Sequence, residues 1–171
     1  MQQMTTKKLA LCGLFLAMAL ITSYIERMLP LNPGIPGVKL GLSNIVTMIL
    51  LYIVGTGTAL VVTLLRILLA GLMFGSGFSM VYSTAGAICS MLIMMILKRT
   101  RMFSAVGVSV AGGVFHNIGQ ILVAVLVLET GSLIYYLPIL IVSGLGAGIV
   151  VGILSGILIK RLEMPIRQML E

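Results

Sequence analysis

Six long apolar runs, separated by short polar or glycine-rich breaks, dominate this 171-residue chain. They cover roughly residues 9–25, 40–54, 58–73, 78–97, 104–128 and 134–159. Each is near the ~20 residues a helix needs to cross a bilayer. The second and third are the shortest, and Gly55-Thr56-Gly57 between them reads as a tight turn. A soluble domain could not hide so much apolar surface. Hydrophobic residues make up 60% of the chain and charged residues only 9%, against a usual charged share of ~25%. Lipid offers no partner for backbone N–H and C=O groups, so every span is expected to be helical. The alternating pattern of a membrane barrel is absent. The expected fold is therefore all-α: one integral membrane domain over residues 1–171, a bundle of six transmembrane helices.

Basic residues set the expected orientation, because they accumulate on the cytoplasmic side. With the N-terminus inside, Lys7, Lys8, Lys98, Arg99, Arg101, Lys160, Arg161 and Arg167 are all cytoplasmic. Arg27 and Lys39 alone fall outside, so both termini are placed in the cytoplasm. The net charge of +7 then reflects topology, and no nucleic-acid partner is expected. Lys7-Lys8, an apolar run and Ala17-Met18-Ala19 resemble a signal peptide, but the apolar run continues past that point. An uncleaved first helix in a multi-pass protein of the bacterial cell membrane is the expectation.

Catalysis by this chain alone is not expected. It has no aspartate, and its four glutamates, Glu26, Glu129, Glu163 and Glu171, are far apart. Clustered carboxylates for Mg²⁺ are thus missing, as are a phosphate-binding P-loop and a serine nucleophile motif. The single histidine cannot build a metal site, and Cys12 and Cys89 lie inside apolar runs as small hydrophobes. No metal or cofactor is expected.

Residues 30–46, PLNPGIPGVKLGLSNIV, form the loop between the first two spans and the start of the second. Pro30, Pro33 and Pro36 prevent helix and stiffen the chain, with Asn32 between them. Such a segment can fold over the bundle as a lid, or simply connect two helices rigidly. Elsewhere small residues mark close packing. Gly144, Gly148, Gly152 and Gly156 repeat every fourth residue on one face of the sixth span. Ala10, Gly13 and Ala17 make a shorter stripe on the first, for packing or for docking a partner, and Ser79, Ser83 and Ala87 another on the fourth.

Arg66 lies near the middle of the third span, where a charge needs a partner or water. It is expected either to bind an anionic ligand or to pair with Glu129 or backbone carbonyls. His116, Asn117 and Gln120 form a second polar group, with Gly112 and Gly113 one turn below. They could hold a ligand, or bond to Ser83 or Ser90 of the fourth span. Lys39, Ser43 and Asn44 stand at the outer end of the second span, and Tyr82 within the fourth near its outer end. Tyr82, Tyr135 and Tyr136 also fit an interfacial aromatic belt. Glu129 is expected to pair with Arg27 or Lys39. Lys39, Asn44, Arg66, Tyr82, His116, Asn117 and Gln120 together outline a cationic pocket, opening outward, for a small anionic or amphipathic molecule.

The stretch PGVKLGLSNIV, the hydropathy pattern and FHNIGQ resemble the family known as heptaprenyl diphosphate synthase component I, also called the Gx transporter family. That family in turn looks like the substrate-binding S components of energy-coupling factor transporters. The resemblance implies a six-helix subunit with an outer pocket, a lid between helices one and two, and a docking stripe on helix one. The docking positions correspond to Gly13 and Ala17, with glycine in place of the first alanine. It implies as partners a coupling membrane subunit and two ATP-binding cassette ATPases. The alternative is a non-catalytic membrane subunit of isoprenoid or quinone synthesis, working with a soluble prenyl diphosphate synthase. Prenyl diphosphate synthases use aspartate-rich motifs, and no aspartate is present here.

Overall fold

A computed structural model describes residues 6–28 and 41–170. The elements are α1 (Thr6–Met28), α2 (Leu42–Ile49), α3 (Thr56–Phe74), α4 (Gly77–Thr100), α5 (Ala105–Leu128) and α6 (Leu137–Leu170). A π-helical turn, Leu50–Val54, continues α2, and a 3₁₀ turn, Gly131–Tyr136, leads into α6. No strand occurs among the described residues. The residues of the expected lid, Pro30, Asn32, Pro33 and Pro36, lie outside the described residues, as does Lys39.

Among the described residues, five helical segments are long and apolar enough to cross a membrane: α1, α3, α4, α5, and α6 with its leading 3₁₀ turn. Their outer faces carry Leu14, Leu72, Leu126 and Val142, all more than half exposed, which only a lipid solvent tolerates in such number. The chain is a multi-pass membrane protein. The segment read as the second span is shorter, Leu42–Val54. It is also the most enclosed: Met48, Ile49, Leu50 and Leu51 are at most 2% exposed. Hydropathy alone does not separate a helix wrapped by protein from one wrapped by lipid.

The π turn frees carbonyls that a regular helix would use. Lys98 reaches back from the end of α4 and donates to the Leu51 carbonyl. Its ammonium also lies 5.2 Å from the centre of the Tyr52 ring. Gly55 then turns the chain into α3 with φ 126°, a conformation a side chain would strain.

Glycine sets the packing of the other half. α5 lies between α4 and α6, its most extensive neighbours. A Cβ on Gly148 would stand 2.6 Å from the Val110 Cα, and one on Gly152 would stand 2.7 Å from the Val106 Cα. A Cβ on Gly144 would meet the Gly113 carbonyl oxygen at 2.9 Å. Three of the four glycines in the α6 stripe are thus consumed by α5. Gly156 is not: nothing stands within 4 Å of its missing Cβ, so the repeat outruns the contact. Gly13 has equally open space, and Ala10, Gly13 and Ala17 are exposed on α1.

Two ends differ from expectation. α6 does not stop near residue 159 but runs to Leu170 through Pro165. The extra turns are held because Ile166 is buried and Leu162 and Leu170 pack on the core cluster. Glu163 and Arg167 pair one turn apart at 2.9 Å. Glu129 makes no ion pair among the described residues and instead ends α5 in the left-handed conformation, φ 49°.

Candidate functional site

The bundle encloses a cavity of about 360 Å³ at the end where α1 and α3 finish and α2 and α4 begin. Every helix contributes to its wall. Ser90 on that wall lies 13 residues below the start of α4, roughly 20 Å at 1.5 Å per residue, so the cavity reaches the middle of the bundle.

Arg66 dominates one side. Its position on α3 faces α2 and α1, and Nη1 donates to the Ser43 hydroxyl at 2.6 Å and to the Ser23 hydroxyl at 3.3 Å. Nε is buried and has no hydrogen-bond partner among the described residues. Glu26 lies within electrostatic reach of the guanidinium. Glu129, one of the alternatives for Arg66, is not among these contacts; two serines and a glutamate from α1 and α2 stand there. The serines satisfy part of the fork and the nearby carboxylate offsets the charge.

Glu26 has a second task. Its carboxylate accepts the N–H of Gly41, which holds the start of α2. Gly41 sits at φ 73° as the residue before that helix, a role glycine fills without strain. A side chain there would also press on Asn44, at 3.2 Å from its amide nitrogen. Asn44 in turn lines the cavity.

α5 supplies the opposite wall. Gln120 is 1% exposed and His116 half-buried, both against Gly86 of α4. A Cβ on Gly86 would stand 2.7 Å from the Gln120 Cγ and 3.0 Å from the His116 Cε1. Glycine at 86 therefore makes the room in which both side chains lie. Asn117 turns the other way: its amide donates to the Leu140 carbonyl at 2.6 Å and to the Ser143 hydroxyl at 3.4 Å. The hydrogen bond expected toward α4 runs instead to α6, because one helical step of about 100° separates Asn117 from His116.

Asn44, Arg66, His116, Asn117 and Gln120, from three different apolar runs, line one cavity. Tyr82 is not on its described wall. It stacks on Phe78 with ring centroids 5.9 Å apart. The cavity also draws on Ser23 and Ser109, which carry no signal in the sequence. A lone serine in an apolar helix serves packing as readily as binding, and only helix rotation tells which. No group of three metal-ligating side chains occurs among the described residues.

A family model, heptaprenyl diphosphate synthase component I, matches residues 15–158. The chain belongs to that family. The match runs from within α1 to near residue 159 of α6 and so contains every described residue of the cavity wall. The family's description names it as one component of a heptaprenyl diphosphate synthase. No curated protein and no solved structure matches the chain.

Proposed function

We propose that this protein is a membrane-embedded binding subunit that captures a small anionic or amphipathic molecule and passes it to a partner. The observation that carries this reading is the cavity with Arg66 on its wall, a buried cation whose Nε has no partner among the described residues. A charge held at membrane depth is costly, and such residues usually serve a ligand or ion path. The proposed orientation has both termini in the cytoplasm and six membrane segments, α2 being the short one. The cavity then faces outside, as in the S components of energy-coupling factor importers. A coupling membrane subunit and two ATPases would supply the energy. The exposed stripe Ala10, Gly13 and Ala17 on α1 is the proposed docking face.

A second reading is favoured by the family's description. There the chain is the non-catalytic membrane component of a prenyl diphosphate synthase, whose soluble partner carries the chemistry. The cavity would hold an isoprenoid precursor or product.

Mass spectrometry of the protein purified from native membranes in mild detergent separates the two. A water-soluble metabolite near stoichiometry, lost on Arg66→Gln or His116→Ala, with ATPases co-purifying, supports capture for import. A prenyl lipid with a synthase and no ATPases moves the conclusion to the second reading.

A further inference from the structure

We propose, resting on the binding reading above, that the cavity selects an elongated carboxylate: one negative charge at one end and neutral hydrogen-bonding groups at the other. Charge on the wall is the first ground. Among the described residues it carries Arg27, Arg66 and Glu26, a sum of plus one. Arg27 is exposed at the rim, and among the described residues the inner charges are Arg66 and Glu26, which offset each other. Glu26 is engaged with the Gly41 N–H, whereas the Nε of Arg66 has no partner among the described residues. With Arg27 counted at the rim, one added negative charge beside Arg66 balances the described wall. Ser23 and Ser43 already hold its Nη1 in place, which fixes the fork for a planar carboxylate.

The second ground is the change of character across the cavity. On the α4–α5 side, away from Arg66, the wall has no formal charge among the described residues. It presents Ser90, Ser109, His116 and Gln120, with Ser90, Ser109 and Gln120 all buried. Buried polar groups require partners, so this end suits hydroxyl, carbonyl or amide groups. A diphosphate fits poorly. It brings several negative charges, and no metal-holding cluster is present among the described residues to offset them. An uncompensated charge in this interior is strongly disfavoured.

Thermal melting of the purified protein with equal concentrations of six-carbon probes tests this. The probes are hexanoate, hexanoate with a terminal hydroxyl, hexanol, hexylammonium and hexyl diphosphate. Hexanoate is expected to raise the melting temperature, the hydroxylated acid to raise it further, and the alcohol and amine to do nothing. Arg66→Gln should weaken both carboxylates about tenfold or more, the loss of a charged hydrogen-bond donor. Gln120→Leu should remove only the increment from the hydroxyl. If Arg66→Gln does not fold, Ser43→Ala carries the test and should weaken hexanoate. Stabilisation by hexyl diphosphate above that by hexanoate, lost with Arg66, would overturn the carboxylate assignment and leave the binding reading standing. No dependence on head group, or equal shifts in the variants, would overturn both.

Discussion

Across the contact between α2 and α3, Arg66 donates from Nη1 to the Ser43 hydroxyl at 2.6 Å. Ser43 is 4% exposed, so water cannot easily replace it. Removing a partner from a retained buried charge costs more than removing the charge. Ser43→Ala should lower stability by about 1–3 kcal/mol, and Arg66→Met by less. Thermal unfolding in one detergent orders the two; the reverse order would show that Ser43 does not support the charge.

The α5–α6 seam predicts a contrast between two glycines of one stripe. Gly148→Ala forces a methyl against the Val110 Cα, which cannot yield without moving the backbone. The cost should be about 1–3 kcal/mol. Gly156→Ala meets open space and should be neutral or stabilising by about 0.5–1 kcal/mol. Equal effects on the melting temperature would mean that the seam is wider than described.

One turn below Arg66, the buried hydroxyls of Thr47 and Thr63 bond to each other at 3.0 Å. Thr47→Val leaves one hydroxyl stranded and should cost about 1–3 kcal/mol. Replacing both with valine should recover most of that loss, because neither polar group then lacks a partner. A double-mutant cycle reads the coupling, and strict additivity would count against the pair.

α4 ends on Arg101 in the left-handed conformation, φ 56°. That geometry costs a residue with a side chain roughly 1–2 kcal/mol, a penalty glycine escapes. Arg101→Gly should therefore stabilise by about 1 kcal/mol, after the larger chain entropy of glycine is subtracted. A lower melting temperature would show instead that the arginine side chain holds this turn.

How much of this was legible in the chain depends on the kind of question. Arg66 announced itself because a cation is rare in an apolar run, and His116 and Gln120 because a four-residue spacing puts them on one face. Tyr82 looked as promising in the string, yet it stacks on Phe78 and misses the described wall. Glu129 seemed a natural partner for Arg66, but Glu26 is the carboxylate near it. Gly156 continues a perfect repeat, yet a Cβ there would meet nothing within 4 Å among the described residues. Each of these points concerns which side of a helix faces which neighbour, information that spacing along one helix does not contain.

The sequence by itself determined the solvent of this protein and its secondary structure. Transfer of apolar side chains into lipid is nearly additive along the chain, and lipid leaves helix as the simplest way to pair the backbone. Only the tertiary structure decided that polar residues from separate helices share one cavity, and that α2 is a short enclosed helix. Those outcomes depend on helix rotation and approach, set by pairwise contacts such as Gly148 on Val110 and Gly86 beneath His116. Such contacts join residues far apart in sequence, and close packing fixes them only when the whole bundle is assembled.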